Sequence, residues 1–135
     1  MPNNEVFGSQ DLMMQYELIR QEINGIDEQI KQLQQHHSEL NIALEGINGL
    51  GGAKELFVPG GAGVYFNASL VNDESCLVSV GAGVIIEMDL VKAEKTIKDR
   101  MEQALSMIVK LNSEAEQMVL SLQQIEGIIQ AGQQA

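Results

Sequence analysis

The chain has 135 residues, enough for one domain on length alone, but its 4% aromatic content and lack of Trp leave little to fill a broad globular core. Eight Lys and Arg against 19 Asp and Glu give a formal charge of −11, which excludes nucleic acid as a partner and disfavours an anionic membrane surface, since phosphate groups need clustered basic side chains. Cys76 stands alone and forms no internal disulfide, no apolar run approaches the ~18 residues that cross a bilayer, and Met1 to Gly8 lacks the basic and apolar regions of a secretory signal, so a soluble cytoplasmic protein is expected.

Residues 1–10 are polar and expected to be a flexible N-terminus, with Ser9 as an N-cap and Gln10 and Asp11 suited to the positive end of a helix dipole. From there the apolar positions fall at Leu12, Tyr16, Ile19, Ile23, Ile26, Ile30, Leu33, His37, Leu40, Leu44 and Ile47, in unbroken alternating steps of four and three. That alternation is the seam of a coiled coil and predicts a helix over 11–49. Gly25 inside it costs roughly 1 kcal/mol against Ala, and Gly46, Gly49, Gly51 and Gly52 are read as the stop.

Residues 50–88 change period. The quartet Gly61-Ala62-Gly63-Val64 recurs as Gly81-Ala82-Gly83-Val84, an internal repeat of strand and glycine turn. Four strands are predicted, over 55–58, 63–71, 76–80 and 84–88, with a polar turn at Asn72-Asp73-Glu74-Ser75 and Pro59 ending the first. Asp89 then caps a second heptad helix over 89–130, followed by a flexible tail at 131–135. Its seam reads Leu90, Glu94, Ile97, Met101, Ala104, Ile108, Leu111, Ala115, Met118, Leu122, Ile125 and Ile129, with Glu94 out of character and Ala93 beside it as the substitute.

Two heptad helices of similar length can fold back on each other, a parallel pairing would force the strand-forming connector to retrace the whole helix, and pairing between chains is the alternative. The fold class is therefore α+β: a long antiparallel two-helix coiled coil with two β-hairpins at its base. Ile47 is expected near Leu90, and Leu12 near Ile129. The hairpins carry more apolar surface than two helix ends can cover, and isolated hairpins are marginal in water. They are expected to join strands of other subunits in a β-barrel platform, with Phe57, Val58, Val64, Phe66 and Leu70 of the first hairpin and Val78, Val80, Val84 and Ile86 of the second as the oligomerisation surface.

The order of heptad helix, Val58-Pro59-Gly60-Gly61-Ala62-Gly63-Val64-Tyr65, Leu77-Val78-Ser79-Val80-Gly81-Ala82-Gly83-Val84, Glu87 and second heptad helix resembles the alpha class of the prefoldin family, from about Asp11 to Ile129. Four strands rather than one hairpin point to alpha over beta. The resemblance implies a hexamer of two alpha and four beta prefoldin subunits, a double barrel of strands, and coiled coils whose tips hold unfolded client proteins and deliver them to a group II chaperonin. The filament-building gamma class shares this architecture and is the alternative, as is a coiled-coil structural spacer.

No catalytic residues, cofactors or metal ligands are expected. Gly46 to Lys54 misses the phosphate-loop spacing, because Gly52 stands where Lys is needed, and Gly61-Ala62-Gly63 would need a glycine at Phe66 to read as a dinucleotide fingerprint. His37 is a polar seam residue, His36 has only Glu39 within ligand spacing, and Cys76 has no nearby His. At the helix ends the chain adds apolar residues that a two-stranded seam does not need. The expected client-binding tips are Leu12, Met13, Met14 and Leu18 on the first helix and Met118, Val119, Leu122, Ile125, Ile128 and Ile129 on the second, with Met supplying adaptable contacts. An ATP-independent holdase subunit, not an enzyme, follows.

Overall fold

The structure is a computed structural model, which describes residues 2–50 and 55–134. The element order is α1 (Pro2–Gly49), β1 (Glu55–Gly61), β2 (Val64–Ser69), β3 (Ser75–Gly81), β4 (Val84–Asp89) and α2 (Leu90–Gln134). Its contacts divide it into two compact units, Met1–Gln35 with Ala104–Ala135, and His36–Gln103. Among the described residues no helix is long and apolar enough to cross a membrane.

In the first unit α1 and α2 pair antiparallel through the heptad positions. Ile26, Ile30 and Leu111 form the buried centre, with Leu33, Ile108, Ala115 and Met118 packed around it. Each such Ile or Leu contributes roughly 1.5–3 kcal/mol by leaving water, so the seam rather than helix propensity holds the pair. Every seam position named above on α1, from Leu12 to Ile47, is buried or half-buried, and between Gln10 and Gly49 every other residue is exposed. The period of the sequence is thus the period of burial.

The second unit holds two separate hairpins, β1–β2 and β3–β4, each an antiparallel two-stranded ladder. They are structural copies: Glu55 faces Ser69 and Gly61 faces Val64 in the first, while Ser75 faces Asp89 and Gly81 faces Val84 in the second. Each ladder slips by one residue just before its turn, at Gly60 in one copy and at Val80 in the other. Both turns have two central residues with positive φ, Ala62 (52°) and Gly63 (78°), then Ala82 (53°) and Gly83 (75°). That is the type I′ class, whose twist matches that of the flanking strands.

The second hairpin is fastened to α2. Val78 and Met88 are each 7% exposed and Ala93 is 0% exposed, and the three pack together with Ile47 and Cys76 against them. Arg100 Nη2 donates to the Ser79 carbonyl at 2.8 Å, and Leu90 N donates to the Glu74 carbonyl at 3.2 Å. Asp89 ends β4 and caps α2, its Oδ1 accepting from Lys92 N at 2.7 Å, as a residue of this type at the N-cap does.

Several expectations shift in detail. The helix starts at Pro2, inside the segment 1–10 expected to be flexible, and Ser9 lies within the helix instead of capping it. Proline is tolerated in a first turn, where its missing N–H has no intrahelical acceptor. Helix α1 runs through Gly46 and ends at Gly49, with Leu50 N donating back to the Ile47 carbonyl at 3.3 Å. Gly51 and Gly52, read as part of the stop, and Lys54 of the Gly-rich stretch lie outside the described residues. At the other end α2 continues to Gln134, beyond the expected boundary at 130, since Gln and Ala continue a helix readily. Glu94 is half-buried and its carboxylate meets Lys98 Nζ at 2.8 Å, while Ala93 takes the buried position.

Candidate functional site

Among the described residues, the hairpins and the free end of the helix pair each gather several exposed apolar side chains, and Ile42, Val91, Leu105, Met107 and Val109 are exposed elsewhere on the helices. On the hairpins, Val58, Val64, Phe66, Val80, Val84 and Ile86 of the expected oligomerisation surface are all exposed, and Phe57 is 75% exposed. Leu70 is half-buried. Val78 differs from the rest: it is consumed inside the chain against Met88 and Ala93, because its face of β3 turns towards α2. Alternation along the strands puts Phe57 and Tyr65 on one face of the first hairpin, and Leu77 and Ile85 at the matching positions of the second. Tyr65, Leu77 and Ile85 are strongly exposed and were not among the expected residues. The repeat itself carries the signal for them, since each matches or neighbours a residue of the expected surface.

Within the same unit a cleft of about 470 Å³ is lined by Ile47, Leu50, Leu56, Val78, Ile97 and Arg100, among others. Of these, Ile47, Val78 and Arg100 belong to the contacts already described. The loop before β3 is held by hydrogen bonds within itself and by one across to β4. Asn72 Oδ1 accepts from Glu74 N, Asn72 Nδ2 donates to Ser75 Oγ, and Ser75 Oγ donates to Glu87 Oε1. They hold the polar turn that the sequence predicts.

The second surface is the free end of the helix pair, where α1 starts and α2 finishes. Of the expected client-binding residues, Met13, Met14, Leu18, Val119 and Ile128 are exposed, and Leu120 joins them. Leu12, Met118, Leu122 and Ile129 are half-buried seam residues, and Ile125 is buried. The expected set therefore separates into an outward apolar group and a seam group that holds the helices together. Seam packing reaches this end because the heptad register runs past it on both helices.

Among the described residues, one side-chain hydrogen bond crosses the pair here. The Tyr16 hydroxyl donates to Glu126 Oε1 at 2.8 Å. A proton shared towards a carboxylate is hard to remove, so the Tyr16 phenol is raised above its ordinary value, first by this hydrogen bond, then by desolvation and the Glu126 charge. Sequence reasoning placed Tyr16 on the seam but did not find its partner. A seam tyrosine carries a hydroxyl that needs an acceptor, which was the available signal. Around this pair lies a cleft of about 440 Å³ lined by Met13, Tyr16, Glu17, Glu126, Ile129 and Gln130. Among the described residues no group of three or more His, Cys, Asp or Glu is placed to hold a metal ion.

Comparison with known proteins agrees with this architecture. A family model described as "Prefoldin subunit" matches residues 19–135. Similar chains include the prefoldin subunit alpha of Thermofilum pendens, 27% identical over 121 residues that span 87% of this chain and 94% of that protein. The prefoldin subunit alpha of Methanosarcina mazei is 29% identical over 117 residues, 87% of this chain and 82% of that one. That of Methanococcoides burtonii is 25% identical over 124 residues, 90% of each. Among solved structures, a filamentous PFD from Methanocaldococcus jannaschii determined by cryo-EM has the same fold, with a TM-score of 0.53 and 23% identity over 93% of this chain and 98% of that one. Matched over most of its length, with two long helices flanking paired hairpins, the chain belongs to the prefoldin family, whose members are non-enzymatic chaperone subunits that assemble with other prefoldin subunits.

Proposed function

We propose that this chain is an alpha-type subunit of an ATP-independent holdase. It captures unfolded polypeptide at the free end of its helix pair and delivers it to a group II chaperonin in the cytoplasm. The observation that carries this reading is the group of exposed apolar side chains at that end: Met13, Met14 and Leu18 on α1, and Val119, Leu120 and Ile128 on α2. None of them serves the seam. Met conforms to irregular partners, which suits a surface that meets many sequences. The assembly partners are prefoldin beta subunits, in a hexamer of two alpha and four beta, joined through the exposed faces of the hairpins. Each free end binds weakly, and several linked to one platform raise the effective concentration, so release needs no nucleotide.

The test is suppression of aggregation of a denatured client, without ATP, by the assembled protein and by a version lacking Met1 to Leu18 and Val119 to Ala135. The truncated assembly should keep its mass and lose its protection. Full protection by it would refute client capture at this end. In parallel, Val80→Asp or Ile86→Asp should dissociate the assembly, and an unchanged mass by light scattering would refute the hairpin platform.

A second reading is a filament protomer or spacer, since a protein of the same fold is described as filamentous. It differs in two measurable ways. The oligomer would grow with concentration, and no client would be protected.

A further inference from the structure

The cleft at the free end carries more chemistry than an apolar patch needs. Met13 and Ile129 supply apolar walls, while Glu17 and Glu126 bring two carboxylates to its lining. The Tyr16 hydroxyl occupies one oxygen of Glu126, which fixes the carboxylate and leaves its other oxygen to accept from elsewhere. No Lys or Arg lines the cleft among the described residues. Arg20 approaches Glu17 only at 3.8 Å, with both side chains largely in solvent, so that pair is loose. Along the sequence there is no basic residue before Arg20 and none after Lys110.

We propose that this cleft is a socket for a Lys or Arg side chain of a client segment. The alkyl stem lies on Met13 and Ile129, and the charged head sits between the Glu17 and Glu126 carboxylates beside the Tyr16 ring. This rests on the client-capture reading and narrows it, from any unfolded chain to segments in which a basic residue stands beside apolar ones. Long basic side chains suit such a site because their stems bury while their heads stay polar. The aromatic face adds a cation–π contact. An uncharged apolar side chain meets only the walls, and an acidic one meets like charge.

The test uses the full chain assembled with its partner subunits and three labelled amphipathic peptides, identical except for one central residue: Lys, norleucine or Glu. Dissociation constants come from fluorescence anisotropy at low salt. The Lys peptide should bind about three- to fivefold more tightly than the norleucine peptide, the scale of exposed ion pairs and cation–π contacts. The Glu peptide should bind weakest. The Lys advantage should shrink in 1 M salt, where screening reaches ~3 Å. It should also fall to about one in the Glu17→Gln, Glu126→Gln double variant.

Glu22→Gln removes an exposed acid of α1 that does not line the cleft. That variant should keep the Lys advantage. Equal binding of Lys and norleucine peptides by the unmodified chain overturns the inference and leaves client capture standing. So does an advantage lost equally in Glu22→Gln, which would make it a matter of net charge. Binding of none of the three peptides overturns both.

Discussion

Gly60 and Phe66 are complementary across the first hairpin: a Cβ placed on Gly60 would run into the edge of the Phe66 ring. The second hairpin has the opposite arrangement at the same two positions, with Val80 for the glycine and Ile86 for the ring. An aromatic side chain covering a strand glycine replaces the side-chain contact the glycine lacks. Since Phe66 is exposed, Gly60→Val would push the ring off the strand at about 1 kcal/mol, the scale of a rotamer displacement. The expected result is a weakened assembly with the helices intact. The double variant Gly60→Val, Phe66→Ile reproduces the second hairpin and should recover assembly more than Gly60→Val alone. Light scattering and far-UV circular dichroism on the same samples check both, and a double variant no better than the single one would count against the exchange.

The turns offer a stabilising change. Ala62 and Ala82 have φ of 52° and 53°, where a Cβ crowds the following carbonyl, a strain of roughly 1–2 kcal/mol for an L-residue. Asn tolerates this region by local hydrogen bonding, and Asn-Gly is the preferred pair for a type I′ turn. Ala62→Asn and Ala82→Asn should each raise stability by about 0.5–1 kcal/mol, seen as a higher unfolding midpoint. Loss of stability in both would show that the turns are not of this type.

The seams, the presence of four strands and the Asp89 cap were legible because each is set by neighbours in sequence, a period of 3.5, a period of two, and a carboxylate beside the first turn, although Pro59 does not end β1, which runs on to Gly61. The unequal fastening of the hairpins was not. Val58 and Val78 hold the same place in the repeat, yet Val58 is exposed and Val78 is buried, because only Val78 meets Met88 and Ala93. Which copy faces a helix is decided by the path of the chain. The Tyr16–Glu126 hydrogen bond was hidden for the same reason, since its partners lie 110 residues apart. The helix limits at Pro2 and Gln134 escaped because nothing in the flanking residues marks a stop.

The buried anchor can be tested directly. Ala93 has no exposed surface and sits where Val78 and Met88 close on α2. A larger side chain must displace one of them. Ala93→Leu should therefore destabilise by about 1–3 kcal/mol, the range for overpacking, and free the second hairpin. Hydrogen exchange should then rise at β3 and β4 while the Ile26, Ile30 and Leu111 centre stays protected. Uniform loss of protection would mean that the two units unfold as one.

Alkaline pH should loosen the free end of the helix pair. The Tyr16 phenol is raised above the ordinary value of 10.0, chiefly by donating to Glu126, so the folded chain holds this proton more tightly than the unfolded one. Whatever stability the pair adds is complete below pH 10 and disappears as pH rises through the raised value. The chain has two tyrosines, so a Tyr65→Phe background leaves Tyr16 as the sole phenol. Its phenolate absorbance should appear above pH 10, and Glu126→Gln, which keeps an acceptor but removes the charge, should move the midpoint down. Identical midpoints in the two proteins would show that Glu126 does not hold the Tyr16 proton in solution.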